Sequence, residues 1–403
     1  MSNYRDDFPF IVRHPETAYF DNAATTLKPQ MVIDAVVNYY ENLGANVHRG
    51  DFRESLETSA LFENVRDLTA SFIGAQRNEI IFTSGASESL NLMAHMVASL
   101  YLGKGDVVLL NEAEHASNIL PWYALAHDFG FTIEFIPLEK EGSMEVDTVM
   151  KAIHPGVKVM SLAHISNVLG MAYDLEAITR LAHEHNIIVC VDGAQAIGHT
   201  AVDVQQLDVD FYAFSAHKML GPSGVGVLYG KIAHLDAMPP LKMGGGSNVR
   251  FDNCGNVTLK TSPAKFESGT PNIEGVLGFG AALQYLETIG FEYIQERTET
   301  LRKRLVDGLK PLKHIKVLNP DADVSIVSLN VEGIFAQDVA AYLDRFHISV
   351  RAGDHCAKLL NGAIHQEKSV RVSLYFYNNE AEVDRLVEVL SKISLEDVIA
   401  DFV

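Results

Sequence analysis

The sequence is poor in the features that would place a protein outside the cell or in a membrane. Only three of its 403 residues are cysteines, too few for a disulfide framework. No stretch approaches the roughly 18 consecutive apolar residues of a membrane span, and the first residues lack the apolar core of a signal peptide. We therefore expect a reducing, cytoplasmic location and no membrane partner.

Positive charge is also scarce. The 32 Lys and Arg residues are outnumbered by 52 Asp and Glu residues, which gives a formal net charge of −20. Such an acidic surface argues against nucleic acid as a partner, although it leaves room for a local basic pocket that binds a small anion. Hydrophobic residues make up 47% of the chain, so the protein can bury a large core.

Short apolar runs alternate with helical stretches through the first two thirds of the chain. Examples are "EIIFTSG" before "ASESLNLMAHMVASLYLG" and, further on, "NIIVCVDGAQA" and "VDFYAFSAHK". This alternation predicts an α/β fold with a mostly parallel sheet, in which ligands collect at the carboxyl ends of the strands. After about residue 285 the pattern changes. We predict a large domain over 20–285 and a small α+β domain over 286–403, packed with an N-terminal arm over 1–19.

Three loops at predicted strand ends carry polar residues. In "SAHKMLGPSGVGVLYG", Lys218 leaves a strand among small residues and is a candidate for imine formation. In "VCVDGAQAIGH", Asp192 can pair with a pyridinium nitrogen and Gln195 with a phenolic oxygen. In "FTSGASESLNLM", a turn before a helix offers Ser87 and free N–H groups to a phosphate. Taken singly, the lysine could be a surface residue and the aspartate and serine could be helix or turn caps. Together, and in this order, they match what binding of pyridoxal 5'-phosphate (PLP) requires.

With these loops, the chain resembles fold-type I PLP enzymes of the class V aminotransferase group, and most closely the group II (SufS-type) cysteine desulfurases. The motifs that carry the resemblance lie in the expected order: "NVHRG", "EHASNILPW", "HISNVLG", "VDGAQA", "SAHKMLGPSGVGVLYG" and "ESGTPN". The similarity extends from about Tyr19 to about Asn378. It implies a PLP-dependent transferase with a large, mostly parallel domain, and a homodimer.

The resemblance also implies roles for individual residues. Lys218 would form the imine with PLP, Asp192 would face the pyridine nitrogen, and His115 would stack on the ring and move protons. Arg371 would bind the substrate carboxylate, with help from Arg351. The remaining contacts to cofactor or substrate would come from Ser87, Asn167, Gln195, Ser215, His217 and, at the neighbouring subunit's cofactor, Thr270. Simpler interpretations stay open for some of them, such as a surface ion pair for Arg371.

The segment "RAGDHCAKLL" places Cys356 among charged residues, which is unusual for a structural thiol. It resembles the segment that carries the persulfide-forming cysteine of group II desulfurases, so Cys356 is the predicted nucleophile. The thiolate is the reactive form, and we expect His355, Arg351 and Lys358 to favour it. Cys190, inside an apolar run, is predicted to be an inert core thiol. No metal site is predicted, because no second Cys or His cluster lies at ligand spacing.

The resemblance therefore implies conversion of L-cysteine to L-alanine with a persulfide on Cys356. The sulfur would pass to an acceptor protein, SufE-like or SufU-like, with iron–sulfur cluster assembly as the expected use. A selenocysteine lyase stays open, because selenocysteine suits the same pocket, whereas an aminotransferase or epimerase has no need of Cys356. A non-catalytic scaffold that binds a sulfur carrier is a further alternative. The presence of Lys218, Asp192 and Arg371 together argues against it.

Two positions depart from the family pattern. Asp354 stands where relatives often carry a histidine, and Phe52 stands where they often carry the second histidine of "HRG-x-H". A carboxylate close to the sulfur would oppose formation of the thiolate. We expect these departures to affect the rate and the coupling to an acceptor more than the type of reaction.

Overall fold

A computed structural model describes residues 4–139, 142–366 and 368–399. These residues form two larger β-sheets and two two-stranded ones, β1 with β13 and β9 with β10. The ends of the predicted arm and small domain, 1–3 and 400–403, lie outside the described residues. The strands are β1 (Ala18–Tyr19), β2 (Ile80–Thr83), β3 (Val107–Asn111), β4 (Thr132–Ile136), β5 (Val157–Ala163), β6 (Ile188–Asp192), β7 (Phe211–Ser215), β8 (Gly226–Gly230), β9 (Asn248–Phe251), β10 (Val257–Leu259), β11 (Ile315–Val317), β12 (Ile326–Val331), β13 (Ile348–Ser349), β14 (Arg351–Gly353) and β15 (Ser369–Ser373).

Helices connect most of these strands. They are α1 (Pro9–Arg13), α2 (Gln30–Asn38), α3 (Arg53–Phe72), α4 (Ala86–Tyr101), α5 (Ala116–Phe129), α6 (Val146–Ala152), α7 (Leu175–Glu184), α8 (Ile232–Ala237), α9 (Ile273–Ile289), α10 (Phe291–Leu309), α11 (Ala336–Asp344), α12 (Lys358–Ala363), α13 (Glu380–Lys392) and α14 (Leu395–Ile399). In the described part of the chain, none of them has both the length and the apolar character needed to cross a bilayer.

The larger sheet has seven strands in the order β2-β8-β7-β6-β5-β3-β4 within the described residues. Neighbouring strands run parallel except at β8, which pairs antiparallel with both β2 and β7. In β6, Val189 and Val191 pack into one core and Cys190 into another, so both faces of the sheet are covered. Burial on both faces explains the uninterrupted apolar sequence of this strand. The predicted α/β fold with a mostly parallel sheet is confirmed.

Parallel strands of this sheet end at one edge, and polar residues follow there. Strands β5, β6 and β7 are neighbours and end at Ala163, Asp192 and Ser215. Helices α4 and α5 begin shortly after β2 and β3. His115 is the N-cap of α5, and its side chain accepts a hydrogen bond from the N–H of Ser117. The edge therefore combines strand ends with helix N-termini, the arrangement at which α/β proteins bind ligands.

The smaller sheet is antiparallel, in the order β11-β12-β15-β14. Strand β1 pairs in parallel with β13, and Ala18 and Phe20 share a core with Val372 of β15. The domain boundary predicted at residue 285 falls within α9, and Gly290, with a φ of +80°, separates α9 from α10. The two-domain division itself stays a prediction.

Candidate active site

A cavity of about 280 Å³ lies at the carboxyl edge of the seven-stranded sheet. Its walls come from the strand ends, from the segment after β1, and from β14, β15 and the loop that joins them. The predicted site residues that line it are Ser87, His115, Asn167, Asp192, Gln195, Ser215, His217, Lys218, Arg351, Cys356 and Arg371. The structure thus brings together all the candidates except Thr270, while their individual roles stay predictions.

Lys218 and Asp192 follow neighbouring strands of the large sheet. Lys218 ends a short 3-10 turn after β7, and Asp192 is the last residue of β6. Burial lowers the pKa of Lys218 to about 8, although nearby Asp192 acts in the opposite direction. An appreciable part of the amine is therefore neutral near pH 8, and the neutral amine is the form that reacts with an aldehyde. Oδ1 of Asp192 accepts the N–H of Ala194 at 3.0 Å.

The first turn of α4 offers a place for an anion. The N–H of Ala86 donates to Oγ of Ser215 at 2.6 Å, and Oγ of Ser87 lies 2.7 Å from Oγ of Ser117 on α5. A Cβ added at Gly226 would lie 2.4 Å from the backbone of the turn before α4, so only glycine allows this close approach of β8. Hydroxyl groups and the N-terminus of a long helix are the groups that bind phosphate.

The two histidines predicted to contact the cofactor are neutral in this environment. The N–H of Ser117 donates to Nδ1 of His115 at 3.1 Å, so the ring carries its proton on Nε2. Burial, with a further contribution from Lys218, lowers the pKa of His115. Burial also lowers the pKa of His217, to about 4. Gln195 uses Nε2 to donate to the carbonyl oxygen of Ala23 at 2.9 Å, which ties the segment after β1 to the sheet edge.

Two arginines face the cavity from the smaller sheet. Arg351 on β14 and Arg371 on β15 are directly opposite each other, and the carboxylate of Asp21 lies between them. Asp21 accepts hydrogen bonds from Nε and Nη2 of Arg351 at 3.0 and 2.9 Å, and from Nη2 of Arg371 at 3.4 Å. Burial lowers the pKa of Arg371 to about 10. Its Nε is buried without a partner among the described residues, which suits a substrate carboxylate.

Cys356 is exposed in the turn between β14 and α12. His355 and Cys356 have φ values of +49° and +59°, in the left-handed region that residues other than glycine rarely adopt. The carbonyl oxygen of Cys356 accepts the N–H of Ala116 at 2.7 Å, which joins the turn to the start of α5. The lining of the cavity includes Cys356 together with Lys218 and Arg371, and the interaction of Cys356 with both groups partly opposes the larger effect of burial, which lowers their pKa.

The residues before the thiol behave differently from the sequence-based expectation. His355 does not supply a positive charge to Cys356, and that prediction is wrong: burial, with help from Arg371, lowers its pKa to about 3. Its Nε2 donates to the carbonyl oxygen of Ser369 at 3.0 Å, so the ring anchors the turn to β15. Asp354 accepts a hydrogen bond from Nδ2 of Asn361 at 2.8 Å and thereby holds α12.

Four other predicted positions lie away from this cavity. Thr270 lines a second cavity of about 540 Å³, where its hydroxyl accepts a hydrogen bond from Asn46 at 3.3 Å. Phe52 is 55% exposed and lines neither cavity. Cys190 is fully buried in the core, as predicted, and Cys254 is exposed between β9 and β10.

Sequence reasoning assigned no role to three charged residues at or near the site. Asp21 bridges the two arginines, as described above. Lys28 donates to the carbonyl oxygen of His217 at 3.1 Å, and burial lowers its pKa to about 7. Glu114 is fully buried, which raises its pKa to about 8, and it accepts a hydrogen bond from Asn118 at 2.7 Å. All three lie inside the motifs "YFDNAATTLKP" and "EHASNILPW", which could have drawn attention to them. The sequence alone does not show which residues they contact.

The residues of the cavity fit PLP. Lys218 would provide an amine for its aldehyde, Asp192 would provide a carboxylate for its ring nitrogen, and the start of α4 would provide donors for its phosphate. By contrast, the described ranges contain no group of three or more His, Cys, Asp or Glu side chains that could hold a metal ion.

Comparison with known proteins agrees with this geometry. Residues 18–386 match the aminotransferase class-V family. A protein of Halalkalibacterium halodurans named "Probable cysteine desulfurase" is 40% identical over 93% of this chain and 92% of its own length. A protein of the same name from Vibrio cholerae is 40% identical over 95% of each chain. The cysteine desulfurase of Thermococcus onnurineus superposes with a TM-score of 0.92 at 38% identity, over 96% of each chain. For the cysteine desulfurase CsdA of Escherichia coli, the TM-score is 0.90 at 34% identity, over 96% of this chain and 97% of that one.

Proposed function

The chain belongs to the class-V aminotransferase family, and we propose that it is a PLP-dependent cysteine desulfurase. It would convert L-cysteine to L-alanine and hold the released sulfur as a persulfide on Cys356. The observation that carries this proposal is that Cys356 opens into the same cavity as Lys218, Asp192 and Arg371. An aminotransferase or an epimerase has no use for a thiol at this place. Relatives at 40% identity that bear the name "Probable cysteine desulfurase" support the same conclusion.

Lys218, Asp192 and the first turn of α4 would hold PLP. When bound, PLP supplies an electron sink for negative charge that develops next to the substrate's amino group. Lys218 can take up and return a proton at Nζ, because burial lowers its pKa to about 8, close to neutral pH. His115, whose Nδ1 is occupied by Ser117, can exchange a proton at Nε2. Arg371 would orient the substrate by binding the substrate's carboxylate. One donor would be Nε of Arg371, which has no partner among the described residues.

The sulfur transfer balances without an outside oxidant or reductant. The carbon–sulfur bond of L-cysteine breaks, and a sulfur–sulfur bond to Cys356 forms. The carbon that loses sulfur gains a proton, so the products are L-alanine and a persulfide that contains the transferred sulfur. The nucleophile has to be a thiol of the protein that can reach the cavity. Cys190 is buried in the core, and Cys254 lies between β9 and β10 and does not line the cavity, which leaves Cys356.

The test compares Cys356→Ala with wild type and with Cys254→Ala as a matched control. Each protein is incubated with L-cysteine, and alanine, sulfide and the masses of the cysteine-containing peptides are measured. We expect Cys356→Ala to retain PLP but to lose desulfuration, and Cys254→Ala to behave as wild type. Full activity in Cys356→Ala, or a persulfide on Cys254, would overturn the assignment. Borohydride reduction and peptide mapping test Lys218, and a pyridoxyl group on another lysine would exclude its role.

The partners form a second part of the proposal. We propose a homodimer in which Thr270 reaches the partner's cofactor. Exposed apolar side chains on α2 and α3 support this, because such groups often mark an interface; they are Met31, Ile33, Val37, Leu56 and Leu61.

Transfer of the sulfur to a SufE-like or SufU-like acceptor, and its use in iron–sulfur cluster assembly, rest on the family resemblance. A cytoplasmic location rests on the small number of cysteines, all of them free thiols.

A further inference from the structure

Asn167 connects two parts of the site that come from distant segments of the chain. Its Nδ2 donates to the carbonyl oxygen of His355 at 2.7 Å, and its own carbonyl oxygen accepts Nη1 of Arg371 at 2.9 Å. Both contacts are protected from water, because Asn167 is 6% exposed and Arg371 is 2% exposed. Two hydrogen bonds thus link the guanidinium group to the residue that precedes Cys356.

The backbone of the cysteine turn needs support of this kind. His355 and Cys356 are both left-handed, and two consecutive residues in that region persist only where surrounding contacts hold them. Three contacts tie His355 and Cys356 to other described segments: the amide of Asn167 on His355, the N–H of Ala116 on Cys356, and the ring of His355 on Ser369. Of these, the Asn167 contact is made by a side chain that can be replaced without changing α5 or β15.

We propose that Asn167 is a positioning residue for the nucleophile, whose side chain holds the turn so that the thiol of Cys356 faces the cavity. This role differs from the contact with cofactor or substrate that the family resemblance implies. The inference rests on the proposed function for the tasks of Cys356 and Arg371. Arg371 binds the backbone carbonyl of Asn167, so replacement of the Asn167 side chain leaves that contact available. Loss of the amide should therefore impair sulfur transfer more than substrate binding.

The experiment measures the reactivity of Cys356 in the holoenzyme with Asn167→Ala and Asn167→Asp. An aspartate keeps the shape of the side chain but cannot donate to His355, and it keeps the test available if the alanine variant is unstable. Iodoacetamide alkylation is followed by peptide mass spectrometry, with the exposed thiol of Cys254 as internal reference. We expect the alkylation rate of Cys356 to change roughly five- to tenfold, the order of change in a local equilibrium when one buried hydrogen bond is lost, because the thiol then no longer keeps its place at the cavity.

The reaction at Cys254 and the absorption spectrum of PLP should stay as in wild type, and kcat for L-cysteine should fall while KM changes little. Thr298→Ala is the control, because this side chain is also buried and its hydroxyl donates to the carbonyl oxygen of Ile294 at 2.8 Å, on α10, which does not line the cavity. It should leave the alkylation of Cys356 unchanged.

An alkylation rate at Cys356 equal to wild type in both Asn167 variants overturns the inference. So does an equal change in Thr298→Ala, which would show a general loosening. A changed PLP spectrum or a raised KM with normal alkylation would assign Asn167 to cofactor or substrate instead. Alkylation needs no turnover, so a failure of the proposed function would be recognised separately, by a missing persulfide.

Discussion

The buried amine of Lys218 predicts a change in stability that can be measured without any substrate. Burial lowers the pKa of Lys218 from 10.5 to about 8, and Arg371 adds to this effect. In the cofactor-free protein near neutral pH, a positive charge therefore occupies a place that disfavours it. Methionine has a similar length and no charge. Lys218→Met should consequently raise the free energy of unfolding of the cofactor-free protein.

The size and the sign of this effect follow from the shift. One pKa unit corresponds to about 1.4 kcal/mol, so the decrease from 10.5 to about 8 is a free-energy cost of the charged lysine of a few kcal/mol. Because contact with solvent reduces this cost, we take about 3 kcal/mol as its upper limit. Between these two pH values the unfolded chain binds more protons than the folded protein does. The cost of the charged lysine is therefore complete below about pH 8, decreases as the pH rises, and vanishes above about pH 10.5.

Urea unfolding of cofactor-free wild type and Lys218→Met, at about pH 7 and about pH 10 and at one protein concentration, tests this reasoning. We expect the variant to be more stable at the lower pH by as much as ~3 kcal/mol, and the difference to shrink at the higher pH. Lys303→Met, at an exposed position of α10, is the control and should show no such dependence. A gain at Lys218 that is equal at both pH values, or absent at the lower one, would refute the argument.

Two further predictions concern the arginine and the turn before the thiol. Arg371→Leu should weaken L-cysteine binding roughly 10- to 150-fold while PLP stays bound, because a charge-assisted pair contributes about 1.5–3 kcal/mol; an unchanged concentration dependence of the rate would contradict this. Asp354→Asn retains an acceptor for Asn361 and should leave turnover near wild type, whereas Asp354→Leu loses the 2.8 Å hydrogen bond and should lower turnover. Equal turnover in the two Asp354 variants would show that this bond is not needed.

The sequence allowed the central part of the site to be predicted because its residues follow strands. Asp192 and Ser215 each end an apolar run, and Lys218 follows three residues after one of them. The carboxyl ends of parallel neighbours meet at one edge, so residues from separate loops were expected to lie together. These side chains provide an amine, a carboxylate and a site for an anion. Few cofactors need all three groups, so the type of cofactor could be predicted as well.

The contacts that hold the nucleophile could not be predicted in the same way. His355 stands next to Cys356 in the sequence and looks like a cation, yet folding buries its ring against Ser369 and lowers its pKa to about 3. Protonation depends on burial, which the neighbouring residues in the sequence do not reveal. Asn167 was likewise recognised as a polar residue of a motif. Its partners, His355 and Arg371, come from much later in the chain, and no pattern in the sequence connects them.

The arginine pair shows what the beginning of the chain contributes to the substrate pocket. Arg351 and Arg371 are opposite each other on adjacent antiparallel strands, where two like charges destabilise a sheet. Asp21 lies between them, held by a backbone bridge to Ser373 at the end of β15, and its carboxylate offsets one of the two charges. The three side chains together then carry one positive charge, and Nε of Arg371 has no partner within the described part of the chain. A net charge of one, with N–H groups of Arg371 left over, matches the single carboxylate of an amino acid. The pocket is therefore complete only when the segment after β1 has packed against the smaller sheet.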